Sequence, residues 1–171
     1  MQSDEAPSRA RIGKPDWDTL IPGLKTYFAP GPTQPQDWAF CESSIEAAIG
    51  FSELFWPPFA EYDGMVFKGK VGPEGSASIA GWMDQFEGDK SEVEKMLNHE
   101  HLIDLFDARN SPTQPEKLAY LGAVVCDMWL AKLKTDFPEK AFTVELFTNP
   151  VDGIGDWLIT FYQRPPLPRN T

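Results

Sequence analysis

Residues 113–138, TQPEKLAYLGAVVCDMWLAKLKTDFP, predict one long helix that is apolar on three sides. Thr113 and Glu116 have the spacing of a capping box with Pro115 in the first turn, and Pro138 ends the run. Large apolar residues recur at three- and four-residue steps and form two stripes: Leu118, Leu121, Val125, Met128 and Trp129, then Leu130, Leu133 and Phe137. A helix with this pattern has to lie inside the fold, so we expect the other elements to pack around it.

The composition is that of a globular and strongly acidic protein. Aromatic residues make up 13% and hydrophobic residues 42% of the chain, which excludes disorder of the whole molecule. A chain of 171 residues can bury a core without disulfides or metals. The formal net charge of -11 argues against nucleic acid as a partner, because affinity for a phosphate backbone comes from clustered Lys and Arg. A basic protein partner is electrostatically allowed.

Several kinds of site and location are disfavoured by what the sequence lacks. Cys41 and Cys126 form no CxxC pair, so neither a disulfide framework nor a zinc ribbon is indicated. Charged residues interrupt the apolar run of the long helix, which excludes a membrane span. Residues 1–10 contain no apolar segment typical of a secretion signal, so we expect a cytoplasmic protein. Nucleotide-binding, nucleophile-elbow, zinc-protease and EF-hand motifs are missing, so we expect no cofactor.

The order of the remaining patterns predicts an α+β fold in a single domain. Residues 1–15 are expected to form a disordered or loosely attached arm, residues 16–164 the domain, and residues 165–171 a proline-rich tail. Alternating patterns and turn signals predict three strands, at residues 65–70, 141–147 and 156–163. We therefore expect a small antiparallel sheet of about three strands, with helices packed mainly on one face around the long buried helix.

A further helix is predicted to open at the capping-box sequence TQPQ, residues 33–36, and to run to about Phe51. Its inward stripe consists of Phe40, Ser44, Ala47, Ala48 and Phe51. The two alanines are expected to pack closely against the small residues of the long helix, Ala119, Gly122 and Ala123. That contact would bring Cys41 and Cys126 into the same interior. Two shorter helices are predicted at residues 77–86 and 90–98.

His99, His101 and Asp104 are the candidate metal ligands, in the sequence NHEHLID at residues 98–104. In an extended conformation the two imidazoles face the same side, and Asp104 would complete a His and carboxylate set for zinc or iron. The alternative is that both histidines lie at a helix end, where the C-terminal dipole favours imidazole. The second interpretation is favoured, because ligation needs further convergent groups.

The densest aromatic stretch, FWPPF at residues 55–59, is the candidate partner-binding segment. Its two prolines exclude regular structure, so part of the stretch has to lie near the surface. Trp56, Phe59, Tyr62 and Asp63 are the candidate contacts, since aromatic residues beside rigid proline are good interface anchors. Aromatic residues of this kind also serve as core contacts under a loop, and Asp63 before Gly64 is first of all typical of a turn.

These observations favour a protein-binding module of the inhibitor, immunity or regulatory type that acts without catalysis. The prediction rests on the missing catalytic motifs, the acidic charge and the aromatic-proline stretch. One alternative is a metal-dependent enzyme or small-ligand binder that uses His99, His101 and nearby carboxylates. A structural domain without either property is the other. Asp127, inside the apolar helix, is either a buried carboxylate with a raised pKa or a residue that reaches solvent.

Overall fold

The computed structural model describes residues 14–24, 34–105, 115–148 and 157–164. The helices in these ranges are α1 Trp17–Leu20, α2 Pro35–Glu42, α3 Ile45–Phe55, α4 Pro73–Gln85, α5 Lys90–Leu97 and α6 Pro115–Asp136. The strands are β1 Phe59–Tyr62, β2 Met65–Lys68, β3 Glu100–His101, β4 Phe142–Phe147 and β5 Leu158–Gln163. The predicted α+β class is confirmed. Most of the predicted arm and all of the predicted tail lie outside the described residues.

The strands form two antiparallel sheets. β4 pairs with β5 along its whole length, with Val144 opposite Phe161, and β3 pairs with the other edge of β5. β1 and β2 form a separate hairpin whose turn residues, Asp63 and Gly64, have φ values of 50° and 79°. All three predicted strands are therefore present, β2 in the hairpin and β4 and β5 in the larger sheet.

Helix α6 is the predicted core helix, and its burial is confirmed. Seven of its residues are buried: Leu118, Gly122, Ala123, Val125, Cys126, Trp129 and Leu133. At Gly122 a β-carbon would lie 2.8 Å from the side chains of Leu102 and Leu146, so the helix approaches the sheet where it has no side chain. Gly122 of α6 thus packs against leucines from β4 and from the segment after β3. Ala48, which was predicted to pack against the small residues of α6, is exposed instead.

The helix predicted from residue 34 to residue 51 is broken into α2 and α3. The hydroxyl of Ser44 accepts a hydrogen bond from the Ala47 N–H at 3.1 Å and caps a new helix, while Ser43 ends the first. No residue of either helix is buried, so the predicted inward stripe is wrong. Cys41 is exposed and Cys126 is buried, so the two cysteines do not share an interior. The capping hydrogen bond to the Ser44 oxygen therefore breaks the helix, although the apolar residues keep a helical spacing across the break.

Two apolar clusters meet at strand β2. Val66 belongs to the main cluster with Trp129, Phe161 and the inward residues of β4, whereas Met65 and Phe67 pack with Ile79 and Val93 of α4 and α5. Thr160 of β5, whose neighbours Ile159 and Phe161 face α6, donates a hydrogen bond to the Lys95 carbonyl of α5 at 2.7 Å. Because successive strand residues face opposite sides, α5 and α6 cover opposite faces of β5.

No helix within the described ranges has the combination of length and apolar character that a membrane-crossing segment needs.

We expect Leu133→Ala to lower the free energy of unfolding by about 2–5 kcal/mol, because the side chain is fully buried in the main cluster and its loss leaves a cavity. The neighbouring exposed Lys134 is the control, and Lys134→Ala should change the free energy by no more than about 0.5 kcal/mol. Urea denaturation followed by circular dichroism measures both. Equal effects in the two variants would contradict the placement of α6 at the centre of the fold.

Candidate functional site

The most buried charged group in the described residues is the Glu94 carboxylate, on the inner face of α5. Its Oε1 accepts hydrogen bonds from the Val66 N–H and from the Gln163 side-chain amide, both at 2.6 Å. Its Oε2 accepts the Gln163 backbone N–H at 2.7 Å. Burial raises the pKa of Glu94, and the hydrogen bonds from Gln163 and Val66 and the positive charge of Lys140 oppose that rise. With three donors already bound, this carboxylate is a structural bridge between β2 and β5.

Asn98 extends the same bridge one helical turn further on. Its Oδ1 accepts the Lys68 N–H at 3.1 Å, and its Nδ2 donates to the carbonyls of Val66 at 2.9 Å and Phe161 at 3.3 Å. Glu94 and Asn98 therefore supply, from side chains, the bonds that a strand ladder would supply between β2 and β5. A bridge of this kind holds structure and leaves neither residue available for general acid or base chemistry.

The predicted metal ligands are only partly brought together. The rings of His99 and His101 lie 5.7 Å apart at nearly a right angle, and His99 Nδ1 is hydrogen-bonded to the Met96 carbonyl. Asp104 is exposed, and its N–H donates to the His101 carbonyl in a turn. Within the described part of the chain, no three His, Cys, Asp or Glu side chains are grouped as a metal would need.

The four predicted partner contacts have different environments. The Trp56 side chain remains 43% exposed at the end of α3, and Tyr62 is also largely exposed. Phe59 is a core contact, with its ring 5.0 Å from that of Phe161 in an edge-to-face arrangement. Asp63 occupies the β1–β2 turn, and its carboxylate forms an ion pair with Lys90 at 2.9 Å. Of these four residues, only Trp56 and Tyr62 therefore offer apolar surface to a partner.

Other groups that could have carried chemistry are held in unreactive forms. Burial, aided by the negative charge of Asp127, raises the pKa of the Cys126 thiol to about 12. Burial and a hydrogen bond to Glu145 raise the pKa of Tyr162 to about 12 as well. Both groups are neutral at physiological pH, so neither is an activated nucleophile.

Among the described residues, the large apolar side chains with the highest exposed fractions lie on α2 and α3. The side chains of Phe40, Ile45 and Ile49 are 85%, 78% and 62% exposed. Ile45 and Ile49 are one helical turn apart and form a stripe on one face of α3. We call these three residues with Trp56 the α2–α3 surface. The sequence signal that could have revealed it is the Ser43-Ser44 pair, which ends one helix and caps the next.

The charged residues within the segment that carries the α2–α3 surface all have one sign. Residues 34–67 contain no Lys or Arg and six acidic residues: Asp37, Glu42, Glu46, Glu53, Glu61 and Asp63. Glu46 and Glu53 are seven residues apart on α3 and line one edge of its isoleucine stripe. Hydrogen bonds from its own backbone N–H and from the Ser44 hydroxyl lower the pKa of Glu46, so this edge stays charged at neutral pH.

Helix α3 is attached to the rest of the molecule at its C-terminal end. The Trp129 indole N–H donates to the Leu54 carbonyl at 2.9 Å, and Phe55 packs against the main cluster. Lys132 of α6 lies over the Trp56 ring, 6.0 Å from its centre, and is ion-paired with Asp136. Phe40 of α2 and Ile45 and Ile49 in the N-terminal half of α3 are exposed to solvent.

The chain matches no protein-family model, no curated protein sequence and no solved structure. Its function is therefore inferred from its own residues.

We expect Glu94→Gln to lower the free energy of unfolding by about 1–3 kcal/mol, because the amide would place an N–H group against one of the three N–H donors. Glu92 lies on the same helix and is exposed, so Glu92→Gln is the matched control and should be nearly neutral. Chemical denaturation at constant pH compares the two. A neutral Glu94→Gln variant would show that the bridge between β2 and β5 contributes nothing to stability.

Proposed function

We propose that this protein is a binding module of the inhibitor, immunity or regulatory type, and that it binds a basic protein through the α2–α3 surface. The observation that carries the proposal is the exposure of Phe40, Ile45 and Ile49 within a segment that has acidic residues and no basic ones. Exposed apolar residues that are grouped together mark contact surfaces in soluble proteins.

The shape of the surface defines the partner that suits it. An isoleucine stripe on α3 with acidic residues along one edge is complementary to an amphipathic helix that has an apolar face flanked by Lys or Arg. The charged edge would steer such a partner during approach, and the apolar stripe would hold it after contact. This division of roles is common where a hydrophobic contact is ringed by charge.

The energies of burial and association determine how much of the α2–α3 surface a tight complex has to bury. Full burial of a large apolar side chain contributes about 1.5–3 kcal/mol, so Phe40, Ile45 and Ile49 together supply on the order of 5–9 kcal/mol. Loss of translational and rotational freedom costs about 4–15 kcal/mol. The three residues alone therefore give a weak complex, and Trp56 has to join the contact for tight binding. The exposed thiol of Cys41 suits a reducing compartment, which supports the cytoplasmic location as part of the proposal.

The apolar half of the proposal predicts that Ile45→Ser combined with Ile49→Ser weakens binding of a basic amphipathic Leu/Lys helical peptide by about tenfold or more. The matched control is Phe147→Ser, which removes a half-exposed apolar residue from β4, outside the α2–α3 surface. Isothermal titration calorimetry measures each affinity. A scrambled peptide of the same charge should bind weakly to every form. If the scrambled peptide binds as well, charge alone accounts for the association and the apolar surface has no role.

The electrostatic half predicts that the association rate falls steeply as salt rises through the physiological range, because charge steering is screened beyond about 10 Å at 0.1 M ionic strength. Trp56→Ala should instead raise the dissociation rate and cost roughly 2 kcal/mol of affinity, while leaving the salt dependence unchanged. Surface plasmon resonance with the same peptide separates the two rates. The proposal would lose its basis if the association rate did not depend on salt and the dissociation rate were unchanged in Trp56→Ala.

A further inference from the structure

A second apolar feature lies between α5 and the β4–β5 pair, away from the α2–α3 surface. It is a cleft of about 470 Å³, a volume within the range of about 300–1,000 Å³ that small-molecule sites occupy. Phe86, Met96, Phe147 and Leu158 form its walls, contributed by the end of α4, by α5, by β4 and by β5. Aromatic rings and a thioether around one cavity suit an aromatic ligand, since sulfur and ring edges both pack well against a ring face.

One polar group at this cleft lacks hydrogen-bond acceptors among the described residues. The Lys95 ammonium, on a side chain about one-third exposed, lies 5.3 Å from the Tyr162 ring centre and 5.6 Å from that of Phe147. The nearest recorded carboxylate oxygen, from Glu145, is 3.8 Å away and so beyond hydrogen-bond length. An ammonium has three N–H donors, so Lys95 can still donate to an oxygen atom placed in the cleft.

The other polar groups of the cleft are acceptors. His99 Nδ1 is bonded to the Met96 carbonyl, which requires the proton on Nδ1 and leaves Nε2 as the acceptor of the neutral ring. The Glu92 carboxylate also lines the cleft. A ligand hydroxyl satisfies both sides, because its oxygen accepts from Lys95 while its hydrogen is donated to His99 or Glu92.

The charges select against an ionic ligand. A carboxylate would be attracted by Lys95 but repelled by Glu92 and Glu145, and an ammonium would meet the reverse. The opposing charges offset part of either attraction, while an ionic head group still has to lose its hydration in a mostly apolar cavity. We propose that this cleft binds a neutral aromatic alcohol, with the ring between Phe86, Met96 and Phe147 and the hydroxyl against Lys95. This site is independent of the partner-binding surface.

Four naphthalenes that differ at one position test the class of ligand: 1-naphthalenemethanol, naphthalene, 1-naphthoate and 1-naphthylmethylammonium. We expect the alcohol to bind one-to-one and the two ions to bind at least about tenfold more weakly, since each ion would have to lose its hydration in a mostly apolar cavity. Chemical shifts of backbone amides, followed during titration of the full chain, should change at residues 92–99 and 158–160. Naphthoate binding as tightly as the alcohol, or no saturable binding of the alcohol, would overturn the proposal.

Two variants locate the site. Phe147→Ala should weaken the alcohol about fivefold or more, whereas Phe51→Ala, which removes an equally exposed ring from α3, should not. Lys95→Met keeps an unbranched side chain, one atom shorter, but removes the donor, so it should weaken binding of the alcohol and leave binding of naphthalene unchanged. Thermal melts establish that each variant is folded. Equal losses in Phe147→Ala and Phe51→Ala, or a Lys95→Met variant that binds the alcohol normally, would overturn the assignment.

Discussion

The fold depends on one carboxylate that accepts three N–H groups. Strands β2 and β5 lie side by side without a ladder between them, and Glu94 binds Val66 on one strand and Gln163 on the other. Removing such a group from water is costly, and the cost is tolerated only when its lone pairs are satisfied. Asn98 repeats the arrangement one turn later. A hairpin and a three-stranded sheet are thereby made into one framework, and α5 is fixed at the same time.

The fixed position of α5 also bears on the proposed ligand cleft. Glu94 of α5 and the C-cap residue Asn98 point inward, while Lys95 of the same helix and His99, just after its end, line the cleft. The cleft is therefore bordered by elements that the bridge already holds, which favours a preformed site. Helices α2 and α3 differ in this respect, because α3 is held mainly by Trp129 and Phe55 at its C-terminal end. The molecule thus combines an apolar cleft between elements joined by the bridge with a helix, α3, whose isoleucines are exposed.

The sequence predicted α6 well because a helix apolar on three sides has few alternatives to burial. Strands β4 and β5 were recognisable for a similar reason, since their alternation has a period of two. The break at Ser43 and Ser44 was missed because the helical spacing of apolar residues continues across it, and only the competing capping oxygen reveals it. The bridge was missed for another reason. In the sequence, Glu94 resembles any acidic residue in the first half of a helix. Its contacts with two distant strands cannot be seen in any local pattern.

Gly122 sets a limit on how the interior of this protein can change over generations. A glycine inside a helix normally costs about 1 kcal/mol relative to alanine, so drift would be expected to replace it. Here a β-carbon would lie 2.8 Å from the terminal methyl groups of Leu102 and of Leu146, so both side chains have to shift before alanine can be accommodated. The three positions are therefore coupled: a side chain at position 122 requires both leucines to shift or to be replaced by smaller residues. Three positions that are far apart in the chain are thus subject to one steric constraint.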